Sequence, residues 1–168
     1  MQRSAPNRRR ILLVVESVAE WERLLDWSRS LIRFVEDKTL FVMLCDHHGG
    51  YESDAIPLLT HGEFLHKTEQ ALRARLARLL QQKGVPPMEF RLLEGAPHRV
   101  VAELSHTWAA DCLLTTARTA RRMQSHGGLL GLQPPEPIAC PIAILPTEEN
   151  RFWQGVQAFL TRFGIRSS

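Results

Sequence analysis

Apolar positions along this chain fall into two patterns. Short continuous runs, each closed by polar or turn residues, predict strands buried on both faces. These are residues 9–15 (RRILLVV), 39–44 (TLFVML), 112–117 (CLLTTA) and 140–145 (CPIAIL). In residues 88–93 only Met88, Phe90 and Leu92 alternate with polar neighbours, which predicts a half-exposed strand at a sheet edge. Between the runs the apolar period lengthens to that of a helix. Trp21, Leu24, Leu25, Leu31, Ile32 and Val35, with Ser28 in the i+7 slot, predict a first helix reaching Val35. Leu65, Thr68, Leu72, Leu76, Leu79 and Leu80 predict a second over about 62–83, stopped by Gly84. Val100, Val101, Leu104 and Trp108 predict a third over 97–110, with Pro97 at the first helical position.

The order is β-α-β-α-β-α-β-loop-β. Strands alternating with helices make a parallel sheet covered on both faces, and right-handed crossovers restrict it to a doubly wound α/β fold. In such sheets ligands sit beyond the carboxyl ends of the strands, where the strand order reverses. That draws attention to Glu16-Ser17, to Cys45-Asp46 and to Thr115-Thr116. Three segments follow: a flexible basic arm over 1–8, one domain over 9–146, and an appended amphipathic helix over 147–168. The appendage places Phe152, Trp153, Val156, Phe159, Leu160 and Phe163 on one face. That face can pack on its own domain, dock on a partner or lie on a membrane surface. The first is favoured, because two arginines give little charge for anionic lipid.

Composition narrows the picture. At 168 residues with 44% hydrophobic and 23% charged residues, the chain has what one ordinary globular core needs. A net charge of +3 is a weak pointer to anionic partners. The three cysteines, Cys45, Cys112 and Cys140, are odd in number and lack zinc spacing, which fits a reducing cytoplasm. The longest apolar runs are too short for a secretory signal or a membrane span. Consecutive Cys45-Asp46-His47-His48 point to opposite sides of an extended segment, so no metal site is expected. No Gly-x-Ser-x-Gly elbow surrounds Ser17, and no catalytic residue is assigned. The basic arm lacks interleaved aromatics, so nucleic acid is disfavoured.

Several features together carry a resemblance. Strand one ends in Glu16-Ser17, Gly95-x-Pro97 precedes the third helix, Ala110-Asp111-Cys-Leu-Leu opens the fourth strand, and Cys140-Pro141-Ile-Ala-Ile-Leu forms the last. In order and spacing this resembles the universal stress protein family over about residues 9–146. The resemblance implies a five-stranded parallel sheet in the order 3-2-1-4-5 with two helices on each face. It also implies dimers formed through the last strand, which here contains Cys140, Ile142, Ile144 and Leu145. Many members bind ATP through Gly-x2-Gly-x9-Gly-Ser/Thr after the fourth strand. At those positions this chain has Thr116, Thr119 and a point near Leu129, beside Gly127-Gly128. The acid after strand one, usually Asp in the family, is Glu16. Prolines at 134, 135 and 137 interrupt the expected fourth helix.

The leading expectation is a cytoplasmic, non-enzymatic homodimer acting through protein contacts in stress response or regulation. It has no cofactor, ATP is disfavoured, and its protein partner is unknown. The alternative is a sensor holding a nucleotide or small anion between strands 1 and 4. Its candidate residues are Glu16, Ser17, Thr116, Arg118, Thr119, Arg121, Arg122, Gly127 and Gly128, with the arginines in a polar loop beside the crevice. Against it, Glu16 can simply pair with a nearby arginine, and a threonine ending a buried strand often caps backbone.

Overall fold

A computed structural model of the chain describes residues 8–45, 60–125 and 137–146. The strands are β1 (Arg10–Val15), β2 (Lys38–Cys45), β3 (Glu89–Glu94), β4 (Cys112–Thr116) and β5 (Ile142–Leu145). They form one sheet in the order β3-β2-β1-β4-β5, with every neighbouring pair parallel. The central β1 is sealed on both faces. Ile11, Leu13 and Val15 join one core cluster, and Leu12 and Val14 the other. The helices α1 (Trp21–Ser28) and α2 (His61–Gln82) cover the first face. There Trp21 packs edge-on against Phe41, with ring centroids 5.4 Å apart. The helix α3 (Pro97–Thr107) covers the second face with Val101 and Leu104, followed by Trp108. The doubly wound sheet and its strand order match expectation, and β3 lies at an edge.

Of these three helices the second matches the sequence pattern and the other two end early. The first stops at Ser28 rather than Val35. Ser28 Oγ donates to Leu25 O at 2.8 Å, and the N–H groups of Leu31 and Ile32 both turn back to Ser28 O. Asp37 then fixes the turn, accepting from Arg33 N at 2.9 Å and from the Arg9 guanidinium at 2.7 and 3.0 Å. Ile32 still reaches the core, but Leu31 and Val35 face solvent, Val35 being 81% exposed. The second begins at His61, where Thr60 and Glu63 exchange hydrogen bonds in a capping box. The third ends at Thr107, three residues early, because Ala109 adopts a left-handed φ of 49° that no helix can continue through.

The last difference matters most. Residues 117–125 are not a loop. They form a helix, α4 (Ala117–Ser125), that follows β4 with no residue between them. Arg, Ala, Met and Gln are good helix formers, and this stretch contains no glycine. Thr119, Ala120 and Met123 turn inward at 0%, 5% and 3% exposure, which is helical spacing. Gly127, Gly128, the proline-interrupted stretch up to residue 136 and the whole of 147–168 lie outside the described residues. So do Phe152, Trp153, Val156, Phe159, Leu160 and Phe163.

Candidate functional site

The strand order reverses between β1 and β4, so the crevice expected of this fold opens beyond Val15 and Thr116. Five of the residues singled out in the sequence meet there. Glu16 leaves β1 with its side chain only 7% exposed, and Arg122 of α4 reaches back to it at 3.1 Å. Thr116 ends β4 and caps α4, its Oγ1 accepting from the N–H of Thr119 at 3.3 Å. The two hydroxyls of Thr116 and Thr119 lie 3.2 Å apart. Ser17 Oγ donates to Glu20 Oε2 over a long 3.4 Å. Thr115 is turned away from the crevice, donating to Val14 O at 2.7 Å and tying β4 to β1.

Sequence reasoning missed Glu20. It sits on a single 3-10 turn, Val18–Glu20, between β1 and α1. Its Oε1 accepts from Thr116 Oγ1 at 2.6 Å, a short bond to a carboxylate across 96 residues of chain. No local pattern could have indicated it, because the partner arrives only when β4 docks beside β1. Arg118 and Arg121 do not join this network, and both are exposed on α4.

Among the described residues, the space beside this network is small. A hollow of about 100 Å³ lies between Glu20, Arg23, Thr116, Ala117, Arg118, Leu145 and Pro146. Small-molecule sites usually need roughly 300–1,000 Å³. Of the first-turn N–H groups of α4, that of Thr119 is already taken by Thr116 Oγ1. Among the described residues, no group of three or more His, Cys, Asp and Glu side chains stands close enough to share a metal ion. Among the same residues, no helix is long and apolar enough to cross a membrane.

At the β5 edge, Cys140 and Leu145 are buried, while Ile142 and Ile144 remain 41% and 42% exposed. Burial pushes the Cys140 thiol up to about 11, with Cys112 and Asp111 adding to the effect.

No family model and no curated protein matches the chain. Solved structures do. A universal stress protein family member from Burkholderia pseudomallei covers 86% of this chain and all of its own length at 14% identity, with a TM-score of 0.53. The universal stress protein UspA from Lactobacillus plantarum covers 84% and 100% at 12% identity, with a TM-score of 0.54. This chain has the universal stress protein fold. One from Archaeoglobus fulgidus, solved in complex with dAMP, covers 84% of this chain and 100% of its own at 12% identity and a TM-score of 0.51. An Arabidopsis thaliana family protein with AMP bound gives 84% and 93% at 14% identity and the same score.

Proposed function

We propose that this chain is a non-enzymatic, cytoplasmic protein of the universal stress protein kind. It works in stress response or regulation as a homodimer, through protein contacts, and its adenine-nucleotide site is no longer built. The observation that supports this reading is the occupied wall between β1 and β4. A capped helix follows β4 directly, the Glu16–Arg122 pair and the Thr116–Glu20 bond fill that wall, and the hollow beside them among the described residues measures about 100 Å³. The test is calorimetric titration with ATP and ADP in the presence of magnesium. No binding is expected below millimolar concentration. A dissociation constant in the low micromolar range overturns the reading.

The two sheet edges support pairing through β5. The β3 edge is guarded. Glu89 and Arg91 pair along it at 2.8 Å, and Arg73 of α2 donates to Phe90 O at 3.3 Å. Charged side chains are the usual defence of an edge strand. β5 has apolar Ile142 and Ile144 instead. The Leu113 N–H donates to Pro141 O at 2.9 Å, so by alternation the backbone groups of Ile142 and Ile144 point outward. Ile144→Pro removes one outward N–H. Light scattering on that variant is expected to show monomer, and a dimer mass retained would exclude this edge.

A second reading is favoured by one feature. Arg23 and Arg118 flank the small hollow, which has the size of an inorganic anion rather than a nucleotide. The dAMP and AMP complexes of the fold's relatives make a sensor role worth the same assay panel. A melting-temperature rise with phosphate but not with AMP or ATP would support it, since a ligand of the native state must stabilise it.

A further inference from the structure

The face of β5 carries an apolar groove that backbone pairing along the β5 edge does not fill. About 470 Å³ in size, it is lined by His98 of α3, Ala120, Met123 and Gln124 of α4, and Ile138, Ile142 and Ile144 of the last segment. Ile142 and Ile144, two residues apart, point to this side of the sheet and stay two-fifths exposed. The groove floor is well anchored. Ala139 N–H donates to Ser105 Oγ at 3.0 Å, and Ser105 is itself fully buried in α3.

We propose that residues 147–168 of the same chain fold back as an amphipathic helix and fill this groove. The occupant is specified by where the chain leaves the sheet. β5 ends at Leu145, so the tail departs from the mouth of the groove lined by Ile142 and Ile144. Residues 147–150 span at most about 14 Å, at 3.3–3.6 Å per residue, enough for one reversal over the strand. A helix over 151–164 is about 20 Å long and presents Phe152, Val156, Phe159 and Phe163 at the spacing of a helix-in-groove ligand.

Charge agrees with this path. Pro146 shares the small hollow with Arg23 and Arg118, and the residues just beyond it include Glu148 and Glu149. A second apolar groove is the more distant one. It lies under Leu76, Leu80 and Phe90, on the opposite face and at the β3 edge. That edge is four strand spacings away, about 19 Å. Filling the groove covers side chains on the face of β5 and leaves the outward backbone groups of Ile142 and Ile144 free to pair. The docking is therefore independent of the dimer.

The test uses the full chain with a photoreactive benzoylphenylalanine in place of Phe159, prepared as a mixture of light- and heavy-isotope copies. Irradiation is expected to give cross-links within one chain to residues 120–124 or 138–144, Met123 foremost. Cross-links only between chains, cross-links to the α2–β3 groove, or none at all overturn the proposal. Light scattering on the same sample reports the dimer separately. A second variant, Val156→Asp with Phe159→Asp, guards against a poor cross-linking yield. It is expected to speed hydrogen exchange of residues 152–163 about tenfold or more while leaving β1 unchanged. Unchanged exchange in the tail overturns the proposal as well.

Discussion

Replacing Thr116 by Val tests the hydrogen-bonded wall between β1 and β4 most directly. The side chain is 6% exposed and the exchange keeps its volume, so no cavity term enters. Two interactions go at once. The 2.6 Å bond to the Glu20 carboxylate is of the charged class, worth about 1.5–3 kcal/mol. The cap on the Thr119 N–H is worth about 0.5–2 kcal/mol. Both depend on one hydroxyl, so the sum is an upper bound, and the expected loss is about 2–4 kcal/mol. Against a total stability of roughly 5–15 kcal/mol this is large. In urea, with a slope of about 2 kcal/mol per molar, the midpoint should fall by about 1–2 M at unchanged slope. Thr116→Ser keeps the hydroxyl and loses a methyl group, which costs about 1 kcal/mol. In a Glu20→Ala background Thr116→Val should keep only the cost of the lost Thr119 cap, as coupled neighbours do. A Thr116→Val variant within about 0.5 kcal/mol of the parent, or a serine variant as costly as the valine, would refute the reasoning.

Two pH-linked outcomes follow from groups away from the crevice. Burial pushes the Asp37 carboxyl up, but the Arg9 guanidinium and the Arg33 N–H outweigh it and hold the carboxyl below its ordinary range. A depressed folded value stabilises above the unfolded pKa, about 3.9, and that contribution is lost as the pH falls through the lower folded value. Asp37→Asn should therefore lower the urea midpoint at neutral pH, with the gap from the parent closing below about pH 4. A gap that persists at pH 2 would contradict it. Cys140, whose thiol is pushed up to about 11, should resist labelling by a disulfide reagent in the native chain at pH 8 and react promptly in urea. Equal rates in the two states would show that its environment is open.

Much of the sheet was legible because parallel strands buried on both faces are written as unbroken apolar runs. Residues 11–15 and 40–42 are of this kind, and strand alternation already marked β3 as half-exposed. Legibility failed where a long-range partner overruled a local period. Leu31 and Val35 keep helical spacing, yet Asp37 captures Arg9 from the preceding strand and turns the chain outward. In α4 the failure had another cause. Residues 116–125 contain no glycine and so lack a glycine-rich loop's pattern, while Thr119, Ala120 and Met123 are spaced as an inward helical face. Glu16, Thr116 and Arg122 were legible as neighbours of the crevice. Their joining with Glu20 was not, since that depends on residues nearly 100 positions apart meeting at one strand pair.

The central place of the first strand has a consequence for synthesis. β1 is paired on both sides, and one of those partners is β4, whose Thr115 holds Val14 O across 101 residues. A chain growing at about 5–20 residues per second must wait roughly 5–20 s between making the two. During that interval the most apolar strand of the protein has one open side. Its early partner is β2, joined to it through a turn that Asp37 and Arg9 fasten. The Arg9–Asp37 clasp, its carboxylate buried, thus holds a parallel βαβ unit together while the centre of the sheet is still incomplete. Nascent chains halted before residue 112 should show protease protection at 10–45 that Asp37→Asn removes, and equal cleavage of both would argue against this role.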